Sequence, residues 1–312
     1  MAINVYFAAG ERLWPEYRAP LTRAFAEAGL DVALSDACTD PTQVDYIIFA
    51  PGGVITDFAP FTRCKAVLNL WAGVERIVGN ATLVQPLCRM VDPGLTEGMV
   101  EYVVGHVLRH HLGMDRHLFG QDGVWRNAVI PPLARERRVA VLGLGELGAA
   151  CATALAALRF DMVGWSRTPK AVPGVRCLSG ADGLRAALTG AAIVVTLLPL
   201  TAETENLMNA ERIGWMARGG VIINPGRGPL IDDAALLAAL DSGQLAHATL
   251  DVFRVEPLPV DHPFWAHPRV TVTPHIAADT RAVSASVVVA ENVRRGEAGE
   301  PFLYLVDRKQ GY

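Results

Sequence analysis

Apolar runs of strand length alternate with amphipathic stretches along most of this chain. Gly, Pro and Asp bound the runs in the first hundred residues, and helix-like stretches such as residues 14–28 lie between them. This alternation is typical of a parallel sheet covered by helices. The five strand-like runs of this part are INVYFAA, DVALS, DYIIFAP, KAVLNLWAG and TLVQPLC.

A second series follows a predicted helix over residues 96–119 and a loop that ends at Pro131 and Pro132. Predicted helices over residues 149–158 and 232–240 lie within this series, and a last helix covers residues 280–296. Six strands with crossover helices are typical of a Rossmann domain. The six strand-like runs are RVAVLGLG, DMVGWSR, AAIVVTLLP, GGVIINPG, HATLDVF and RVTVTPH.

The two series predict an α/β protein of two domains. The first is a Rossmann doubly wound parallel sheet domain over residues 99–279. The second is a smaller flavodoxin-like α/β domain formed by residues 1–98 and 280–312, because the final segment is too short to fold alone. A length of 312 residues also exceeds what one hydrophobic core usually organises. The content of 51% hydrophobic and 19% charged residues fits buried parallel strands.

Charge and cysteine usage narrow the class of partner. The formal net charge is -4 and Lys and Arg do not cluster, so we expect neither nucleic acid nor a membrane surface as a partner. A small molecule is favoured instead. Five scattered cysteines without a C-x-x-C pair indicate reduced thiols, and no apolar stretch is long enough to span a bilayer, so the expected location is cytoplasmic.

The segment VAVLGLGELG, residues 139–148, carries the pattern G-x-G-x-x-G at the end of a predicted strand and the start of a predicted helix. In this context the glycines allow a tight turn and close approach of a pyrophosphate to the backbone and to the helix N-terminus. An ordinary turn between a strand and a helix is the alternative. The predicted cofactor residues of this turn are Gly143, Gly145, Glu146, Leu147 and Gly148.

The next strand-like run ends without the carboxylate that bonds the ribose of NAD in Rossmann domains. The residues there are Trp165, Ser166, Arg167 and Thr168, followed by Lys170. A guanidinium binds a 2′-phosphate through paired hydrogen bonds. We therefore predict that these residues bind NADPH in preference to NADH, although NADH is not excluded. The alternative is that Arg167 and Lys170 are solvated surface charges.

Three candidate catalytic residues follow three later strand-like runs: Arg227 in INPGRGPLID, Glu256 in LDVFRVEPLP and His275 in TVTPHIAA. Reduction of a carbonyl requires a cation that orients the substrate and an acid that protonates the developing alkoxide. A carboxylate beside the histidine would fix its tautomer. Taken singly, each residue also has a purely structural explanation.

Together these motifs resemble those of the D-isomer-specific 2-hydroxyacid dehydrogenases, in the same order and over essentially the whole chain. Within that family the similarity is strongest to the glyoxylate/hydroxypyruvate reductase branch. The stretches that carry this similarity are LWAGVE, EGMVEYVVGHVL, GWSRT, DSGQL and VDRKQGY.

The resemblance implies an oxidoreductase that reduces glyoxylate to glycolate or hydroxypyruvate to D-glycerate. Arg227 would bind the 2-oxoacid, His275 would be the acid and base, and Glu256 would support His275. Asp251 would hold the nicotinamide carboxamide. A turn in the smaller, substrate-binding domain would bind the substrate carboxylate through backbone N–H groups. The other implied residues are Leu198, Pro199, Pro225 and Gly226 for the cofactor and Trp71, Ala72 and Gly73 for the substrate.

The chain departs from the family pattern at Trp71, where Gly is more common, and at Pro225 and Gly226. Trp71 would narrow the pocket toward small oxoacids, or it would simply pack in the core. The resemblance also implies a homodimer, with residues 99–132 as the dimerisation helix and loop. Trp125 in that loop would reach the partner's site.

Three other interpretations of the sequence are possible. His106 and His110 have the i, i+4 spacing of a zinc pair, with His111 and His117 nearby, but no third ligand is evident and we predict no metal. A non-catalytic, dinucleotide-sensing corepressor uses the same fold. The full set of Arg227, Glu256 and His275 favours an enzyme. A dehydrogenase for another D-2-hydroxyacid is the remaining alternative.

Overall fold

Two units make up the chain in a computed structural model that describes residues 2–119, 121–309 and 311. The first unit comprises the described residues of 1–95 and 279–312, and the second comprises residues 96–278. The predicted boundaries at 98/99 and 279/280 fall within a few residues of these junctions. The roles assigned to the two domains remain predictions.

The first unit is built on a five-stranded parallel sheet with the order β2-β1-β3-β4-β5. This is the strand order of flavodoxin-like folds, and it confirms the predicted class of the smaller domain. The strands are β1 (Ile3–Phe7), β2 (Val32–Ser35), β3 (Tyr46–Phe49), β4 (Ala66–Asn69) and β5 (Leu87–Cys88).

Helices from both ends of the chain cover one face of this sheet. The helices are α1 (Trp14–Glu27) and α8 (Ala282–Ala298), and both bury side chains in one hydrophobic cluster with β1, β3 and β4. Beyond α8, the Val306 N–H donates to the Leu87 carbonyl at 2.8 Å. These contacts explain why the last residues of the chain belong to the first unit.

The second unit is built on a seven-stranded parallel sheet with the order β12-β11-β10-β9-β6-β7-β8. Six strands were predicted, and that number is wrong. The additional strand, β8 (Arg176–Ser179), lies at the sheet edge, so its half-exposed RCLS residues give no apolar signal. The other strands are β6 (Arg138–Leu142), β7 (Asp161–Ser166), β9 (Ile193–Thr196), β10 (Gly220–Asn224), β11 (Leu245–Leu250) and β12 (Val270–Val272).

Helix α2 (Pro93–Leu112) begins in the first unit and continues into the second. The predicted helix over residues 96–119 is not continuous: the chain turns at Gly113, where φ is +63°, before α3 (Asp115–Leu118). Within the described ranges, no helix has both the length and the apolar character needed to cross a membrane. The remaining helices are α4 (Glu146–Ala157), α5 (Gly180–Leu188), α6 (Ala210–Gly214) and α7 (Asp233–Asp241).

Hydrophobic side chains pack on both faces of the central strands of the larger sheet. Along β9, Val194 joins one apolar cluster while Ile193 and Val195 join the cluster on the opposite face. A strand buried on both faces needs apolar residues throughout. The continuous run IVVT is therefore expected at this central position.

Candidate active site

The carboxyl ends of β10, β11 and β12 lie side by side in the larger sheet. Asn224 pairs with Leu250, and Leu250 pairs with Val272, so the three strands end at the same level. Arg227, Asp251 and His275 each lie within three residues of one of these ends. In an open parallel sheet, ligands bind at this edge.

His275 and Glu256 form a direct pair. His275 Nδ1 lies 2.8 Å from Glu256 Oε2, and Glu256 Oε1 accepts a hydrogen bond from the Phe253 N–H at 2.9 Å. Because an ionised carboxylate only accepts, Nδ1 carries the proton in this pair. Nε2 is then the nitrogen that can exchange a proton with a substrate. The His275 side chain is 49% exposed, so a small molecule can reach it.

The Arg227 turn is fixed by buried polar groups. Asn224 donates from Nδ2 to the Arg227 carbonyl at 2.9 Å and accepts the Gly226 N–H at 3.1 Å. The Thr196 hydroxyl donates to Asn224 Oδ1 at 2.7 Å. Half-buried Arg227 donates from Nη1 to the Gly226 carbonyl at 2.7 Å. The turn that presents the guanidinium is thus rigidly attached to the ends of β9 and β10.

Gly228 brings the Arg227 turn against the loop that carries Glu256. A Cβ at Gly228 would lie 2.0 Å from the Phe253 carbonyl carbon, so only glycine permits this backbone approach. The Phe253 N–H is the donor to Glu256. The structure thereby connects the loops of two predicted catalytic residues.

Asp251 is fully buried at the end of β11. Its Oδ1 accepts the Thr273 hydroxyl at 2.6 Å and the Ile276 N–H at 2.9 Å, and its Oδ2 accepts the Ala277 N–H at 2.9 Å. These contacts hold the loop around His275. The predicted contact of Asp251 with a nicotinamide carboxamide stays a prediction.

The turn between β6 and α4 has the geometry of a dinucleotide-binding turn. Gly143 has φ of +103°, and a Cβ at Gly148 would lie 1.7 Å from the Gly143 carbonyl oxygen. Around Gly145, which is exposed, a Cβ would meet nothing within 4 Å. The first N–H groups of α4, including those of Glu146 and Leu147, lack helical partners. The residues present therefore fit a bound pyrophosphate.

The next cofactor candidates surround this turn. Pro199 and the buried Leu198 follow β9, the neighbour of β6, at the point where the strand order reverses. Trp165 and Ser166 end β7 on the other side, with Trp165 Nε1 bonded to the Gly180 carbonyl at 2.8 Å.

Exposed residues follow the end of β7. Arg167, Thr168 and Lys170 are all exposed, and the Ser166 hydroxyl donates to the Thr168 carbonyl at 2.8 Å. No carboxylate occurs among residues 166–170. This composition is suited to a 2′-phosphate, and the binding role of these residues stays a prediction.

In the first unit, the predicted substrate turn follows β4. Asn69, the last residue of β4, donates from Nδ2 to the Trp71 carbonyl at 2.7 Å and to the Gly73 carbonyl at 3.0 Å. The Ala72 and Gly73 N–H groups have no hydrogen-bond partner within the ranges that the structure describes. Trp71 is 40% exposed, so it is not a core residue.

Sequence reasoning missed several residues that hold these loops. Asn69 and Asn224 are 1% exposed and occupy equivalent positions, as the polar last residue of an apolar strand. Thr273 and Tyr102 were missed as well. A buried amide ending the runs AVLN and GVIIN was the available signal, because a buried polar side chain requires partners.

A cluster of histidines lies between α2 and the larger sheet. The rings of His110 and His247 are 5.0 Å apart, and His110 Nε2 lies 2.9 Å from the Thr249 hydroxyl. His106 and His110 are 6.5 Å apart between ring centroids. Nowhere in the described chain do three or more His, Cys, Asp or Glu side chains form a group suited to a metal ion.

Burial keeps these histidines neutral. It lowers the pKa of His110 to about 3, with the charges of His247 and Arg109 acting in the same direction. Burial also lowers the pKa of His247 to about 4, with Arg109 again adding to the shift and Asp115 opposing it. Burial lowers the pKa of His106 too.

We expect the free energy of unfolding to fall as the pH drops from about 6.5 toward 4, because the unfolded chain binds protons that the buried His110 and His247 do not. Each site contributes up to ~1.4 kcal/mol per pH unit. Urea unfolding at several pH values measures the slope. H110Q should flatten it, whereas H117Q, at an exposed histidine, should not. Equal slopes in both variants would contradict this account.

Comparison with known proteins extends the similarity over both units. A family model described as the NAD-binding domain of D-isomer-specific 2-hydroxyacid dehydrogenases matches residues 103–277. Glyoxylate/hydroxypyruvate reductase A of Serratia proteamaculans is 40% identical over 258 residues, 80% of this chain and 82% of that protein.

Solved structures give the same result. A D-isomer-specific 2-hydroxyacid dehydrogenase from Xanthobacter autotrophicus Py2, in complex with NADPH and MES, is 44% identical with a TM-score of 0.93, and all of both chains is covered. An NADPH-dependent glyoxylate/hydroxypyruvate reductase from Sinorhizobium meliloti, in complex with NADP and sulfate, is 33% identical with a TM-score of 0.86, again over both whole chains.

Proposed function

The chain belongs to the family of D-isomer-specific 2-hydroxyacid dehydrogenases, and from this premise we propose that it reduces small 2-oxoacids with NADPH. Glyoxylate and hydroxypyruvate are the proposed substrates, and glycolate and D-glycerate are the products. The observation that carries this proposal is the 2.8 Å pair of His275 and Glu256. Glu256 follows β11, which lies between β12, the strand before His275, and β10, the strand before Arg227.

We assign the proton transfer to His275. The Glu256 carboxylate holds Nδ1 and stabilises the imidazolium, so Nε2 donates its proton to the carbonyl oxygen of the oxoacid as that oxygen becomes an alkoxide. Arg227 binds the substrate carboxylate and polarises the C=O group. For the first unit, we propose Ala72 and Gly73 as substrate-binding residues because their N–H groups have no partner in the described ranges.

We place the cofactor at the turn between β6 and α4. When bound, NADPH supplies the hydride that C2 of the oxoacid receives. Gly145 and the first turn of α4 would hold the pyrophosphate, and Arg167 with Lys170 would hold the 2′-phosphate. Relatives bound to NADPH and to NADP support this choice of cofactor.

The proposal is tested by oxidation of NADPH and of NADH with glyoxylate, hydroxypyruvate and pyruvate. We expect turnover with the first two substrates and a preference for NADPH. R167A should lower kcat/KM for NADPH by ~10-fold to 100-fold, because a charge-assisted contact is lost, and should leave NADH nearly unchanged.

R176A is the matched control, because Arg176 is an exposed arginine in the neighbouring edge strand β8. Cofactor binding without turnover of any 2-oxoacid would instead indicate a non-catalytic dinucleotide-binding protein. Turnover of pyruvate alone would indicate a dehydrogenase for another D-2-hydroxyacid.

We also propose a homodimer. Apolar side chains after α3 face solvent in the single chain: Phe119 is 80% exposed, Trp125 89% and Ile130 85%. Large apolar side chains of such high exposure, within one segment of twelve residues, support an interaction surface. Sedimentation equilibrium gives the molar mass that decides between one chain and two.

The five unpaired thiols among the described residues support a reducing, cytoplasmic location.

A further inference from the structure

A line of hydrogen bonds connects α2 to the buried carboxylate of Asp251. The Tyr102 hydroxyl lies 2.8 Å from Thr273 Oγ1, and Thr273 Oγ1 lies 2.6 Å from Asp251 Oδ1. An ionised carboxylate only accepts hydrogen bonds, so the Thr273 hydroxyl donates its proton to Asp251. Tyr102 must therefore donate to Thr273. The direction of both hydrogen bonds is fixed by the carboxylate.

The tyrosine is held in place by its surroundings. Its ring packs against His106, with the ring centroids 4.4 Å apart, on a helix whose neighbouring residues Met99 and Val103 are buried in the core. The hydroxyl is therefore presented to Thr273 by a packed side chain. A donor fixed in this way restricts the Thr273 rotamer as well.

Asp251 in turn fixes the backbone at His275 and at the two residues that follow it. Its carbonyl accepts the His275 N–H at 2.8 Å, and its carboxylate accepts the N–H groups of Ile276 and Ala277. The N–H groups of three consecutive residues therefore all donate to Asp251. The position of the His275 backbone depends on the orientation of Asp251.

His275 needs this support because its backbone is in an unfavourable conformation. Its φ is +56°, in the left-handed region, which is uncommon for every residue except Gly, although Asn, Asp and His adopt it more often than the other residues. A conformation of this kind persists only when the surrounding structure determines it. Without the three amide contacts, the loop would relax, and the ring would move relative to Glu256.

We propose that Tyr102 is a positioning residue for His275 and acts through Thr273 and Asp251. Asp251 would then hold the His275 backbone in addition to making its predicted contact with the cofactor. The consequence for turnover rests on the proposed function, whereas the consequence for the loop does not. The two are separated by measuring the loop directly in the cofactor-free protein.

The test uses Y102F, T273V and T273S, with Y46F as the matched control. Tyr46 also loses a hydroxyl contact, 2.8 Å from Glu297, but it lies in the first unit. Amide hydrogen exchange of residues 275–277 should accelerate by about 3-fold to 10-fold in Y102F, and more in T273V, for the loss of one net hydrogen bond. T273S, which keeps the hydroxyl, should exchange like the wild type.

Kinetics supply the second readout. We expect kcat for glyoxylate to fall by about 3-fold to 10-fold in Y102F, with KM and the NADPH dissociation constant within about twofold of the wild type. The reason is that the variant displaces His275, which transfers the proton, and leaves the substrate and cofactor contacts in place. Unchanged exchange in both Y102F and T273V would overturn the proposal. Exchange as fast in T273S as in T273V, or in Y46F as in Y102F, would overturn it too. A wild type without turnover, but with faster exchange in Y102F, refutes the proposed function alone.

Discussion

Replacing His275 with Gln is expected to lower kcat for glyoxylate reduction by ~10²-fold to 10⁴-fold, the usual contribution of a positioned general acid. Glutamine can still donate a hydrogen bond toward Glu256, but it cannot deliver a proton to the alkoxide. NADPH binding should stay close to that of the wild type, because none of the proposed cofactor contacts involves the imidazole. Steady-state NADPH oxidation and a fluorescence titration of the cofactor measure the two quantities.

The matched control for this variant is H267Q. His267 precedes β12, and His275 follows it, so the two histidines lie at opposite ends of the same strand. His267 contacts Asp241 at 3.3 Å and has no role in the proposed chemistry. A His275 variant that keeps most of its turnover, or a His267 variant that loses as much, would contradict the assignment of the acid.

Replacing Arg227 with Ala is expected to lower kcat/KM for glyoxylate by ~10²-fold to 10⁴-fold, because two charge-assisted hydrogen bonds of ~1.5–3 kcal/mol each are lost. R227K keeps the charge but loses the planar fork, so its loss should be smaller, about 10-fold to 100-fold. Both kcat and KM should change, since the guanidinium binds the carboxylate and polarises the carbonyl. Initial rates over a range of glyoxylate concentrations separate these two effects.

R218K provides the comparison. Arg218 precedes β10, whereas Arg227 follows it, and its Nη2 donates to the Ser242 carbonyl at 3.3 Å at the opposite edge of the sheet. The R218K variant should retain wild-type kcat/KM. If R227K is as active as R218K, paired hydrogen bonding to the substrate is not the role of Arg227.

Much of the fold follows from local pattern. The runs IVVT and GVIIN are apolar throughout because central parallel strands are buried on both faces. By contrast, β8 was missed because its residues are only partly buried at the sheet edge and RCLS carries no apolar periodicity. The end of α2 was also missed, since the turn at Gly113 is followed at once by another helical segment.

The residues of the candidate site also divide into those that the sequence predicts and those that only the structure reveals. Gly143, Arg227, Glu256 and His275 are visible in the sequence because each belongs to a short motif at the end of a strand. Tyr102 and Thr273 are separated by 171 positions, and nothing local relates a tyrosine on a helix to a threonine after a strand. The exposure of Trp71 could not be predicted either, because the neighbouring residues in the sequence are apolar and suggest a buried side chain.

By itself the sequence determined the α/β class, the dinucleotide turn, the order of the catalytic candidates and the family. The periodicity of apolar residues, the residues of turns and the spacing of motifs each involve only a few neighbouring positions, so they can be identified in the sequence directly. Only the tertiary structure showed which atoms of His275 and Glu256 meet, that Asp251 accepts the N–H groups of residues 275–277, and that Tyr102 contacts this network. Those contacts depend on which strands are neighbours and where each ends, which is set by the packing of the whole sheet.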